Sequence, residues 1–326
     1  MRTYVMRTLL QMIPLMLGIT LIAFCIMHLA PGGPISLMSG ESGDDLDAEQ
    51  IQRLREQYGL DRPLPVQYVN WAGRLLRGDF GMSFAENRPV SVMIVERLPN
   101  TLYLNMVVLV LTYLIAIPVG IISAVRQYSA FDMTVTTLAF WGQATPNFWL
   151  ALLLIYALAL PISWIPTSGM ASLGVSISSH GLVAVVLDRM RYLLMPTIVM
   201  VTAGVCGLTR YMRSSMLEVV REDYIRTARS KGLAERVVLY RHALRNALLP
   251  IVTLAGFTLA SLFSGSVVIE QIFSWPGLGS LSIRSIFQRD YNVVMAINTV
   301  GAFLTVVGLL LADIAYALVD PRIRFD

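Results

Sequence analysis

The chain has one lysine in 326 residues, Lys231, together with three histidines and two cysteines. Each scarcity removes a class of chemistry. A P-loop needs a lysine beside a glycine-rich turn, and Lys231 is followed by Gly232 rather than preceded by such a turn, so the chain has no ATP-hydrolysing site of that kind. His28, His180 and His242 fall in different segments with no H-E-x-x-H pair, which leaves an intramembrane zinc protease unsupported. Cys25 and Cys206 both lie inside apolar runs, so neither a disulfide framework nor a thiolate metal site is implied. Charged residues are also few, at 14% against 56% hydrophobic, and mean hydropathy is +0.64. A soluble domain does not combine that balance with several apolar runs long enough to cross a bilayer.

What is present reads as an all-α polytopic membrane protein with six transmembrane helices. The runs are about 8–30, 101–125, 134–160, 192–209, 248–273 and 293–319. The first is read as a retained helix, because Pro31-Gly32-Gly33-Pro34 offers no small-x-small cleavage pattern. With the N-terminus cytoplasmic, the inside segments hold fourteen basic residues and the short outside loops hold four, Arg189, Arg191, Arg284 and Arg289. Both termini are therefore expected inside, and the excess of arginine in loops reflects orientation rather than nucleic-acid binding. The chain divides into 1–30, an N-terminus and first span; 31–100, an extracytoplasmic loop; and 101–326, a five-helix core that includes a cytoplasmic loop at 210–247.

The outer loop should hold short helices at Asp44 to Tyr58 and Pro65 to Arg77, stopped by Gly59 and Gly78. A third stretch, Pro89 to Leu98, places Val90, Ile94 and Leu98 at helical spacing and is expected along the membrane surface, and the loop reads either as a lid packed on the outer ends of the spans or as a partner-binding element. Polar residues inside the spans are sparse. Gln143, Asn147 and Asn298 are candidates for lining a polar path, or equally for interhelical hydrogen bonds. Asp313 is a candidate to pair with Arg210 or with a partner subunit. Cys25 with His28 would suit a soft metal, although a histidine near a helix end more often meets the interface. His28 with Ser264 would be the pair for an intramembrane hydrolase, against the packing role usual for Ser and Gly in spans. Proton-coupled secondary transport wants several carboxylates at mid-depth, which are missing; a single-chain transporter using sodium stays open.

The remaining feature is the strip from Arg210 to Arg245, with nine basic and four acidic residues. Such a strip cannot lie in hydrocarbon. Glu222 and Asp223 at one end, Arg229, Lys231 and Gly232 at the other, match the dipole and the stop signal of a short helix. Ile225, Ala228 and Gly232 share one small face that another protein could approach, with Arg226 and Arg229 free for acidic partners. A second helical stretch, Ala234 to Ala247, leads to Pro250. Periodicity alone leaves two readings, a solvated loop that sets topology or a docking segment.

Longer motifs favour docking. The runs Met212-Arg213-Ser214-Ser215-Met216-Leu217-Glu218, Asp223-Tyr224-Ile225-Arg226-Thr227-Ala228-Arg229-Ser230-Lys231-Gly232-Leu233 and Arg241-His242-Ala243-Leu244-Arg245-Asn246-Ala247-Leu248-Leu249-Pro250 resemble the cytoplasmic loop of bacterial peptide-importer permeases of the ABC superfamily. The resemblance extends over nearly the whole chain through Tyr58-Gly59-Leu60-Asp61-Arg62-Pro63, Gly78-Asp79-Phe80-Gly81, Pro146-Asn147-Phe148-Trp149, Phe273-Ser274-Trp275-Pro276-Gly277-Leu278-Gly279 and Asp320-Pro321-Arg322-Ile323-Arg324. It implies a type I ABC importer permease in the bacterial cytoplasmic membrane. The implied partners are a homologous second permease, two cytoplasmic ATPases that use ATP and Mg, and an extracytoplasmic substrate-binding protein, with no cofactor bound by this chain. The implied ATPase-coupling residues are Glu222, Asp223, Tyr224, Thr227, Ala228, Arg229, Lys231, Gly232, Leu233, His242, Arg245 and Asn246. Of the general importer signature, glutamate-alanine-alanine then glycine, the chain keeps Ala228 and Gly232 but has Arg226 and Thr227 in the first two places. Short peptides are the implied cargo, with nickel chelates and glutathione as alternatives, and the pathway is expected on the third, fourth and fifth spans.

Overall fold

The computed structural model describes residues 2–29, 61–175, 177–263 and 265–319. Among them the chain is helical, apart from an isolated antiparallel bridge between Met82 and Pro89. In order, the helices are α1 (Arg2–Leu29), α2 (Leu64–Leu75), α3 (Val90–Val125), α4 (Ala130–Ala144), α5 (Asn147–Leu154, prolonged by a π turn, Ile155–Ala159) and α6 (Ile177–Val220). The second half holds α7 (Asp223–Ser230), α8 (Glu235–Val237), a π turn (Val238–Ala243), α9 (Leu244–Ala247), α10 (Leu249–Ser261), α11 (Val267–Ile272), α12 (Leu278–Phe287) and α13 (Tyr291–Val319). By length and composition α1, α3, α6 and α13 can each cross a membrane, and α4 with α5 adds a fifth if the bent pair is one span.

The third and fifth expected spans are not continuous helices. Pro146 has no backbone N–H to extend α4, and it pushes Thr145 into an extended conformation (ψ 122°), so α4 and α5 diverge by 99°. The segment expected at 248–273 is likewise two helices, α10 and α11, with Gly265 at φ +66° in the break. The fourth span is longer than the apolar run suggests and is interrupted near its start by Gly181 at φ +78°. The stretch expected on the membrane surface, 89–98, is instead the first turns of α3. Its apolar positions Val90 and Ile94 are buried against Leu278, Leu281, Val293 and Ala296, so protein rather than lipid covers them. Helix 65–77 is found as α2; the helix expected at 44–58 lies outside the described residues.

α3 and α6 form the spine, packed closely enough that small residues are required between them. A Cβ on Gly120 would fall 2.7 Å from that of Met212, and one on Gly204 would fall 2.9 Å from the side chain of Thr112. At one end of the spine a core gathers around Met212, Met216, Ile225, Val238 and Ile251. At the other, α11 and α12 are fastened to α3 by Glu270, which is fully buried. Its carboxyl accepts from the Thr101 hydroxyl (3.1 Å) and the Ser280 N–H (2.9 Å), while the Trp275 indole donates to the Asn100 carbonyl at 3.0 Å. Asp290 closes the same end by accepting from Ser83 and from the Ala85 N–H (3.1 Å), joining the 79–89 loop to the start of α13. α1 packs on α2 and α13 through Phe24, Trp71 and Met295.

Candidate functional site

The basic strip folds as two helical segments around Gly232, as its charge pattern requires. α7 begins after Glu222, has Asp223 in its first turn and Arg229 in its last, and ends with Gly232 at φ +75°, where the Gly232 N–H reaches the Arg229 carbonyl at 2.9 Å. The Arg229 guanidinium spans the turn to both oxygens of Glu235, at 2.7 and 3.2 Å, and holds that carboxyl below the usual carboxylate range. The Asn246 amide donates to the Tyr224 hydroxyl at 2.7 Å and ties the second segment to the first. A π turn at Val238–Ala243 shifts the register of that second segment, so Val238, Ala243 and Ala247 are the buried positions and Val237 is exposed.

Ile225 and Ala228 do not form an outward face: they are 0% and 7% exposed, packed into the core with Met212, Met216, Val238 and Ala243. The periodicity marks a buried face, and the protein that covers it is this chain. Ala228 is therefore a packing residue, and the exposed surface of α7 includes Glu222, Asp223, Tyr224, Arg226, Thr227, Arg229 and Lys231. Gly232, Leu233, Arg245 and Asn246 are also exposed, and His242 is half-buried. The strip is thus a rigid block, polar outside and fused inside to the ends of α3, α6 and α10.

The same three helices line an open cavity of about 510 Å³. Asn105, Thr112 and Tyr113 come from α3, Gly204, Gly207 and Tyr211 from α6, and Leu254 and Thr258 from α10. The Tyr113 hydroxyl meets that of Thr258 at 3.3 Å, and the Asn105 amide caps α10 by donating to the Leu262 carbonyl at 2.7 Å. Tyr113, Leu208 and Leu254 line this cavity and also pack on the core of the basic block.

Comparison with known proteins decides what this arrangement belongs to. Residues 116–325 match the model of the binding-protein-dependent transport system inner membrane component, and residues 1–105 match the N-terminal model of the same membrane component. The chain belongs to this family. Among similar proteins, the oligopeptide transport system permease protein AppB of Bacillus subtilis is 48% identical over 326 residues, covering both chains fully. The dipeptide transport system permease protein DppB of Escherichia coli is 37% identical, with 99% of each chain covered. An inward-facing structure of the MetNI methionine ABC transporter shares the fold, with a TM-score of 0.55 at 16% identity over 70% of this chain and 96% of that one.

Within this membrane component the polar candidates of the sequence lie away from the cavity. Gln143 accepts from Arg210, whose guanidinium also sits 4.3 Å over the Phe140 ring. Asn147 is the exposed first residue of α5, and Asn298 is exposed on α13. The second helical span, rather than the third, walls the cavity with the fourth and fifth, because α5 beyond the Pro146 bend packs against Met195, Val199, Ile269 and Phe273. The side chain of Asp313 and residue Ser264 lie outside the described residues. His28 is engaged structurally, with Nδ1 2.9 Å from the Phe24 carbonyl and Nε2 3.2 Å from Gln67, and its ring stacked on Phe24. Among the described residues no group of three or more His, Cys, Asp or Glu is placed to hold a metal ion.

A residue pair missed in the sequence reading is Asp132 with Arg213. The carboxylate is 2% exposed and accepts from Arg213 at 2.6 and 2.8 Å, from Ser123 and from the Tyr128 N–H at 2.9 Å. It anchors the start of α4 to the last turns of α6, within the basic strip. Ser129-x-x-Asp132 is a helix-start pattern, and the Ser129 side chain does accept from the Asp132 N–H. That local signal can be read from the chain; the pairing with Arg213, 81 residues away, cannot.

Proposed function

We propose that this protein is the permease subunit of an ATP-driven importer of short peptides, and that the exposed surface of the basic block receives the motion of cytoplasmic ATPase subunits. The observation that carries the reading is the shared wall: Tyr113, Leu208 and Leu254 belong at once to the packing of the block and to the lining of the cavity. A displacement of α7 cannot be absorbed inside so well packed a core, so it moves the ends of α3, α6 and α10 and changes the cavity between them. Hydrolysis belongs to the partners, in keeping with a chain whose one lysine has no glycine-rich turn before it. The complete assembly is this chain, a homologous second permease, two ATPases and an extracytoplasmic substrate-binding protein, in a bacterial cytoplasmic membrane with both termini of this chain inside. The names of AppB and DppB support peptides as cargo over nickel chelates or glutathione.

Reconstitution tests the reading directly. Proteoliposomes holding the four membrane-associated subunits, with the binding protein outside, should accumulate labelled peptide only when ATP and Mg are supplied to the ATPase side. Uptake by this chain alone without ATP would instead establish a secondary transporter, and uptake of a nickel chelate or glutathione in place of peptide would reassign the cargo.

A further inference from the structure

A second cavity, of about 460 Å³, opens at the far end of α3 from the basic block, between α3, the 274–276 turn and α12. Its wall includes Arg97, Arg284, Gln271, Ser274 and Phe287. The charges around it do not balance. Arg284 donates to Glu86, and Arg88 donates to Glu96 at 2.6 Å and lies 3.8 Å from Glu86. Glu270 is committed to Thr101 and Ser280, and Asp290 to Ser83 and Ala85. Every nearby carboxylate is thereby engaged, whereas Arg97, half-buried in the cavity wall, has no acidic partner among the described residues. Beside it on α12, Phe287 and Ile286 are 80% and 50% exposed.

We infer that this cavity is the seat of an acidic side chain from the extracytoplasmic substrate-binding protein, with Arg97 as the residue that receives its carboxylate. A half-buried guanidinium with no acidic partner among the described residues favours a charge-assisted, bidentate carboxylate contact. An arginine next to exposed aromatic and aliphatic side chains is also the usual composition of an energetic centre in a protein interface. A free peptide fits the wall less well: it carries an ammonium group as well as a carboxylate, and among the described residues no carboxylate lines the cavity to accept it. This inference rests on the importer reading for the identity of the partner and for the placing of this end outside the cytoplasm.

The test uses the assembled transporter in phosphatidylcholine nanodiscs, measuring the affinity of fluorescently labelled binding protein at low and high salt. Arg97→Ala should weaken binding about tenfold and flatten its salt dependence, and Arg97→Glu should weaken it further. Arg97→Lys should recover part of the affinity, while ATPase activity without binding protein stays at the wild-type level in all three. Wild-type affinity and salt dependence in Arg97→Glu would overturn the inference. So would a defect confined to discrimination between free-acid and C-terminally amidated peptides, since that places the cargo's carboxylate at Arg97 instead. The importer reading fails separately, if the unaltered complex takes up no peptide with ATP.

Discussion

Gly232 holds the turn between the two segments of the basic block, and its role is a matter of backbone conformation. A Cβ there would meet nothing within 4 Å, so no steric contact demands glycine; the φ of +75° does. Gly232→Val should cost the turn about 1–2 kcal/mol and shift the exposed face of α7 relative to Glu235. Peptide uptake per ATP hydrolysed should fall while the chain still inserts and assembles. Gly232→Asn, which tolerates the left-handed region better, should retain most of the coupling; equal loss in both would assign the effect to the side chain and not to the backbone. Asp132 and Arg213 make the opposite case, in which packing leaves no freedom. Asp132→Ala strips a part-buried guanidinium of its partner and should cost about 3 kcal/mol, seen as a lowered Tm of the purified subunit. Asp132→Leu with Arg213→Leu should restore part of that loss, because the two charges then vanish together.

At the scale of elements, the breaks in α4–α5 and α10–α11 matter more than the spans. The α11–α12 corner depends on Glu270, around which three glycines are packed: a Cβ on Gly277 would lie 2.5 Å from its carboxyl oxygen, and Gly265 and Gly279 approach to 2.9 Å. Glu270→Ala leaves the Ser280 N–H and the Thr101 hydroxyl without their acceptor, at about 2–3 kcal/mol. Gly277→Ala should destabilise comparably by displacing the same carboxyl. Both should loosen Trp275, which is fully buried, and a red shift of its fluorescence with a lowered Tm would report this. These features also mark the limit of what the chain discloses on its own. α7 and its stop at Gly232 were legible because caps, dipole and glycine act locally. The composition of an apolar run is the same on both sides of a break, so hydropathy merged α10 with α11, although Pro146 marked the α4–α5 bend. Periodicity finds the Ile225–Ala228 face, but which protein covers a face is decided by tertiary packing, and here the cover is this chain's own core.

For the molecule as a whole, the cavity walled by α3, α6 and α10 is the expected passage for cargo. Two glycines on α6 allow it to be probed without unfolding the protein. Gly204 and Gly207 both line the cavity, yet a Cβ on Gly204 would collide with Thr112 at 2.9 Å, whereas one on Gly207 meets nothing within 4 Å. Gly207→Trp should therefore place its indole in the open space at little cost to the fold, and a helical residue other than glycine at this position even favours α6 by about 0.5 kcal/mol. The expected outcome is loss of peptide uptake with an unchanged Tm and with ATP hydrolysis still stimulated by the binding protein, since the basic block and the far end are untouched. Gly204→Trp should instead lower the Tm by separating α3 from α6, and it serves as the control for a general packing defect. Uptake at the wild-type rate in Gly207→Trp would place the passage elsewhere, on the face that this chain shares with a second permease. Loss of both uptake and stimulated hydrolysis would show that the cavity transmits the signal rather than passing the cargo, because the shared wall of Tyr113, Leu208 and Leu254 would then have been forced apart.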